Sequence, residues 1–245
     1  MNYKIVNNYQ ELESFIQFLP ELEDNETYYF SLIARGRYSP QSALGSNKNF
    51  LQLKRFTATK DKIFEKIKQL ECEVGSYTVK GNVIPQEALV VYMNINPRDQ
   101  IRAARQTFQK LSEMFSQNRA SEIKVNSVAM TELHRATGRK LFYDIDFDLD
   151  TNLNFQDQVK RRMSIEKSLL TITGGAVEFI NSRGGFHALV RLKDIPQEVK
   201  SSWYHKVSEL PGVDIKGDNM VPVPGTTQGG FVPSMYLVDE FYKVK

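Results

Sequence analysis

Apolar residues along this chain switch repeatedly between the 3.6-residue spacing of a helix and the two-residue alternation of a strand, which predicts a mixed α+β protein. Helical spacing runs from Tyr9 to Leu19, and a strand follows in Tyr28 to Ala34, closed by a polar loop from Arg35 to Pro40. Phe50 to Phe56 predicts the next strand. Thr59 is the expected cap of a helix that keeps Ile63, Phe64, Ile67 and Leu70 on one side. Further strands are expected around Ser76 to Lys80 and in Ala88 to Ile95. Asn96-Pro97-Arg98-Asp99 has the composition of a helix start, with a capping Asn, a Pro at the first helical position and an acid in the first turn. The helix it opens would send Ile101, Ala104, Phe108, Leu111 and Phe115 to the core and leave Arg98, Arg102 and Arg105 elsewhere on its surface.

In the second half, helical spacing spans about Phe155 to Thr171, and strands are predicted in Ala176 to Ile180 and Phe186 to Leu192. Pro196 opens a further helix with Val199, Trp203, Val207 and Leu210 inward, which Pro211-Gly212 closes. Two short strands flank the turn-rich stretch from Pro224 to Gly230. No internal repeat, low-complexity tract or linker interrupts the chain.

The most informative alternation lies between Lys140 and Asp150. As a strand it puts Leu141, Tyr143, Ile145, Phe147 and Leu149 on one face and Asp144, Asp146, Asp148 and Asp150 on the other. Same-face carboxylates in a strand stand roughly 6 to 7 Å apart, and no basic residue is interleaved here. Such a row repels itself, and a hard divalent cation bound through carboxylate oxygens supplies the compensating charge. Asp144 and Asp146, next to the apolar start, are expected to lie deepest, with Asp148 and Asp150 toward the polar turn that continues through Thr151 and Asn152.

The 245 residues allow one large domain or two closely packed lobes. Cys72 is the lone cysteine, which excludes a disulfide framework and a Cys-rich zinc site. With no apolar run long enough to span a bilayer and no signal pattern at Met1-Asn2-Tyr3-Lys4, a soluble, cytoplasmic protein is expected, in the host cytoplasm if the source is viral, without a membrane partner. The net charge of +3 is small but unevenly spread. Between Arg98 and Lys140, the bases Arg102, Arg105, Lys110, Arg119, Lys124, Arg135 and Arg139 outnumber Asp99, Glu113, Glu122 and Glu132, and the acidic strand follows at once. A basic surface beside clustered carboxylates is what a site holding metal and phosphate together needs.

A second piece of chemistry sits in Asn181-Ser182-Arg183-Gly184-Gly185-Phe186-His187. Paired glycines let backbone N–H groups approach a phosphate, and Ser182, Arg183 and His187 are donors of the kind triphosphates attract. The bland reading of the same residues is a glycine hairpin with a structural histidine.

Taken together, the two pieces resemble the archaeo-eukaryotic primases and primase-polymerases of viruses and mobile elements. Leu141-Phe142-Tyr143-Asp144-Ile145-Asp146 is similar to the hydrophobic-then-Asp-x-Asp motif of that family, and Gly185-Phe186-His187 to its small-x-His motif. Val213-Asp214 fits the third motif, a hydrophobic residue followed by a carboxylate, with Asp218 as its rival. Val223-Pro224-Gly225-Thr226 looks like the turn that often follows, although Asn219-Met220-Val221-Pro222 lacks the arginine commonly found before it. The likeness covers about Ala88 to Gly230.

That resemblance implies a two-lobed core, with a mixed α/β N-terminal lobe in residues 1–125 and an RRM-like catalytic sheet in residues 126–245. It implies that Asp144, Asp146 and Asp214 hold two divalent cations, Mg²⁺ or Mn²⁺, and that His187 meets the triphosphate of an incoming NTP or dNTP with Ser182, Arg183 and Gly185 nearby. Arg98, Arg102, Arg105 and Arg191 become candidates for a single-stranded DNA template, and a replicative helicase is a candidate partner. The expected activity is primer synthesis or extension. Two other readings stand beside it: a metal-dependent glycosyltransferase, which explains the Asp-x-Asp pair but not the Gly-x-His strand, and an inactive nucleic-acid-binding accessory using aromatics such as Tyr28, Tyr29, Phe30, Tyr38 and Phe50.

Overall fold

The structure is a computed structural model that describes residues 1–39, 49–117, 121, 123–149 and 152–238, with Lys216 described by its backbone alone. Pro40, Arg119, Glu122, Asp150 and Thr151 lie outside those residues. In chain order the elements are α1 (Tyr9–Phe18), β1 (Glu26–Arg35), β2 (Phe50–Ala58), α2 (Ile63–Lys68), β3 (Thr78–Val79), β4 (Asn82–Val83), β5 (Leu89–Asn94), β6 (Arg98–Asp99) and α3 (Gln100–Ser116). They continue with α4 (Val125–Arg135), β7 (Phe142–Asp148), α5 (Phe155–Thr173), β8 (Val177–Ser182), β9 (Gly185–Arg191), α6 (Trp203–Ser208), β10 (Val213–Gly217), β11 (Met220–Pro222) and β12 (Ser234–Tyr236). The protein is thus a mixed α+β chain of antiparallel sheets with six α-helices among the described residues.

One sheet has the order β11-β5-β1-β2, with β6 also paired to β1. Its central strand β1 is rich in aromatic and β-branched residues and is buried from Glu26 to Ala34, so it shows no inside–outside alternation. The edge strand β11 comes from residues 220–222, far along the chain from its neighbours. The second sheet has the order β10-β7-β9-β8-β12. Its first four strands and two helices follow one another as β7-α5-β8-β9-α6-β10, which puts β7 and β9 in the middle.

The two sheets share a core. Tyr28, Phe30, Leu32, Val91 and Met93 of the first sheet cluster with Phe142, Ile180 and Leu189 of the second. On its other face the second sheet packs Ile145, Phe147, Phe186 and Val190 against Ile165 and Leu169 of α5 and Trp203 and Val207 of α6. Each such fully buried side chain contributes roughly 1.5 to 3 kcal/mol. Asn154 caps α5 by accepting from the Asp157 backbone N–H at 3.0 Å, and left-handed Gly174 ends it.

Four local expectations change. Thr59 makes no capping bond, because a 3₁₀ turn over Lys60–Lys62 precedes α2. Asn96 does not cap α3; Asp99 does, accepting from Arg102 N at 2.9 Å, while Asn96 is buried and bonds Leu141 and Phe142 of the neighbouring segment. The apolar stripe of α3 does not enter the core: Phe108 is 77% exposed, and Ala103 is the buried residue of the helix, because α3 packs sideways on α4. The helix opened by Pro196 is regular only over Trp203–Ser208, with turns before it. No helix among the described residues is long and apolar enough to cross a membrane.

Candidate functional site

Strict alternation in β7 separates its two faces across the sheet. Ile145 and Phe147 are buried in the helix-side core, and Phe147 stacks on Phe186 at 4.9 Å. Phe142, on the opposite face, joins the core between the sheets, so Asp144, Asp146 and Asp148 look toward the first sheet. Depth falls along the row as expected: Asp144 is fully buried, Asp146 half-buried and Asp148 exposed.

Register brings the histidine to the acids. Asp146 pairs with His187 across β7 and β9, and with Asp214 across β7 and β10, so the three residues form one row over adjacent strands. His187 Nδ1 lies 3.1 Å from Asp144 Oδ1, and its Nε2 3.7 Å from Asp146 Oδ1. Burial works against a charged imidazole here, but the Asp144 carboxylate, then Asp146 and Asp148, outweigh it, and His187 titrates above its ordinary value. The neighbouring carboxylates thus favour the charged form of this imidazole. Gly185 makes the strand approach possible: a Cβ there would stand 1.8 Å from the Phe147 carbonyl oxygen.

A cleft of about 240 Å³ opens between the sheets at this row. Asp146, Asp148, His187, Ser182 and Gly184 line it from the second sheet, and Arg35, Arg37 and Tyr92 from the first, with Asn219 and Gln228 at its border. Arg35 and Arg37 escaped the sequence reading. The available signal was an Arg-x-Arg pair directly after an apolar strand, which reads as an ordinary polar loop until the second sheet is folded against it.

Other expected site residues separate into two groups. Asp214 stands exposed on edge strand β10, opposite Asp146, although it is not one of the residues lining the cleft. Its rival Asp218 is occupied elsewhere: it pairs with Arg98 at 2.7 Å, accepts from Asn96 Nδ2 at 2.9 Å and bonds the Thr137 hydroxyl. Arg98, expected on a template surface, is only 1% exposed and is the core of that network. Arg183 is exposed, but its backbone N–H donates to Gln228 and its guanidinium to the Gly229 carbonyl while stacking on Tyr38 at 4.2 Å. It braces the β8–β9 turn and does not line the cleft. Gly185 serves strand packing, as above. Arg191 lies at the far end of β9 against Phe18 and Phe142, and bonds Glu178. Arg102 and Arg105 are exposed on α3, Arg102 reaching the Thr137 carbonyl at 3.4 Å.

Hard-cation chemistry suits the donors, since Asp144, Asp146 and Asp214 are all carboxylates on neighbouring strands. Asp144 Oδ2 is buried and has no hydrogen-bond partner among the described residues, which is the state of a carboxylate oxygen that a cation would satisfy. Among the described residues no three His, Cys, Asp or Glu side chains are already gathered as a metal cluster. Comparison with known protein families, with curated proteins and with solved structures finds no match.

Proposed function

We propose that this protein is a template-directed nucleotidyltransferase of the archaeo-eukaryotic primase type, which makes or extends primers on single-stranded DNA. One observation carries the reading: the Asp-x-Asp strand and the Gly-x-His strand are direct neighbours, in a register that sets His187 beside both Asp144 and Asp146 at the floor of a cleft. Residues 41 and 43 apart in the chain, singled out separately, meet at one point. The β7-α5-β8-β9-α6-β10 order, with strands arranged β10-β7-β9-β8, supports it further, because that is the βαββαβ arrangement of a ferredoxin-like or RRM-like sheet.

Asp144, Asp146 and Asp214 would hold two divalent cations, Mg²⁺ or Mn²⁺, as a primase requires. Bound there, the ions would lower the pKa of an attacking 3′-hydroxyl and neutralise charge on the triphosphate and on leaving pyrophosphate. His187 keeps Asp144 in one orientation through Nδ1 and turns its Nε2 edge toward the cleft, where it can donate to a phosphate oxygen. The Ser182 hydroxyl borders the same space. Glycosyl transfer accounts for the carboxylates alone and leaves the His187 contact unexplained.

The test is incubation of the protein with a single-stranded template, labelled NTPs or dNTPs and each metal, with and without a primer. Metal-dependent, template-complementary incorporation is expected. Absence of incorporation with every metal and nucleotide, in a folded protein, overturns the proposal.

A further inference from the structure

Resting on that reading, we infer that Arg35 and Arg37, on the first sheet's wall of the cleft, are the cations that grip the nucleotide's phosphate chain. They are two residues apart at the end of β1 and in the 3₁₀ turn Gly36–Tyr38, and both line the cavity whose floor carries Asp146, Asp148 and His187.

The surroundings of these arginines suit that role. Neither lies within ion-pair distance of a carboxylate among the described residues, whereas Arg98, Arg139, Arg162 and Arg191 all do. Arg35 is held ready: its Nη2 donates to the Tyr92 hydroxyl at 3.1 Å, and the guanidinium lies over the Tyr92 and Phe50 rings at 5.3 and 5.9 Å. Its Nε is buried with no partner among the described residues. Arg37, donating to the Tyr38 hydroxyl at 2.9 Å, is exposed at the mouth of the same cavity.

The chemistry follows from where the charges stand. Both guanidiniums border one cavity, and an anion there is held best when it offers several oxygens to two planar forks. The carboxylate floor rejects a bare anion. A phosphate chain that arrives with divalent cations satisfies both walls at once, with metal toward the acids and the remaining oxygens toward the arginines. The guanidinium of Arg183, another candidate, is committed to the Gly229 carbonyl and the Tyr38 ring.

The experiment is calorimetric titration of the full chain with Mg²⁺·dATP and, separately, with Mg²⁺·tripolyphosphate, which has the phosphates but no base or sugar. Losing a charge-assisted hydrogen bond corresponds to about 10- to 100-fold in affinity. Arg37→Ala and Arg35→Lys should weaken both ligands by about that factor, whereas Lys110→Ala on α3 should weaken neither. Because Arg37 is exposed, its variant should melt with the wild type. Loss of dATP binding with tripolyphosphate binding intact would mean that the arginines touch base or sugar, and overturns the inference. Wild-type affinity in both variants overturns it too, while leaving the nucleotidyltransferase reading in place. A wild-type chain that binds neither ligand overturns both.

Discussion

Two charged clusters, each gathered from distant parts of the chain, have opposite characters. The Arg98–Asp218–Asn96–Thr137 network is closed: Arg98 is buried, its guanidinium makes two bonds to the Asp218 carboxylate, and Asn96 uses both ends of its side chain on Asp218, Leu141 and Phe142. The cleft cluster is open. His187 lies beside Asp144 and Asp146, Asp144 Oδ2 is buried with no hydrogen-bond partner among the described residues, and Arg35 and Arg37 line the same cleft, Arg37 within the field of Asp148. A closed network spends its electrostatics on holding the segment around 94–99 to β7 and to residues 137 and 218. An open cluster costs stability and keeps its charge available for a ligand. Acidity alone does not separate Asp214 from Asp218, whereas their neighbours differ: Asp218 is held by Arg98, Asn96 and Thr137, and Asp214 stands exposed opposite Asp146.

The comparison makes its sharpest demand on the open cluster. Asp144→Ala and Asp146→Ala should each lower nucleotide incorporation by about a thousandfold or more while leaving the circular dichroism of the fold unchanged, because the lost interaction is one made with the reacting groups. Wild-type rates from either variant in the primer-extension assay would remove the row from the site. The closed network should respond in the opposite currency. Arg98→Ala removes a buried guanidinium and leaves the half-buried Asp218 carboxylate without its cation, and should lower unfolding free energy by about 3 kcal/mol in urea. Unchanged stability with weakened template binding would return Arg98 to the nucleic-acid surface.

Two smaller effects refine the contrast. Asp214→Asn should cut incorporation about a hundredfold with stability within roughly 0.5 kcal/mol of wild type, as befits an exposed edge-strand residue; Asp218→Asn should lose about 2 kcal/mol and keep its specific activity when folded. The reverse pattern would exchange the two acids. Glu26, buried beside Arg139, is a second closed pair, with contacts of 2.6 to 3.1 Å. Burial raises its carboxyl, but the hydrogen bonds from Arg139 and from backbone N–H groups outweigh this, and the net value is lowered. Its stabilisation is then complete above the ordinary glutamate pKa and lost as pH falls through the lowered folded value. Glu26→Gln should cost about 1 to 2 kcal/mol near neutral pH, and its urea midpoint should converge on the wild type's as pH falls through the lowered value of Glu26. A gap that persists in acid would show that the charge of Glu26 contributes nothing.

Much of the open site was legible because strand alternation is a local property. The period of two in Lys140 to Asp150 decides which side chains share a face whatever β7 later pairs with, and the burial gradient from Asp144 to Asp148 follows from the apolar start of the strand. The glycine turn likewise predicted a hairpin and put His187 early in β9. The helix of Gln100–Ser116 was equally legible as a helix, but which side it buries was not: that depends on α4 lying beside it.

By itself, then, the amino-acid order determined most of the element types, though neither α4 nor the short strand β6, together with the two faces of β7 and the candidate acids and histidine. Only the tertiary structure decided that Asp146 sits between His187 and Asp214, that Arg35 and Arg37 face them, and that Arg98 closes on Asp218 across 120 residues. The reason is physical. Side-chain direction within an element is set by neighbouring dihedral angles, whereas register, sheet order and the pairing of distant charges are set by which cores can be buried together, and no short stretch of sequence contains that information.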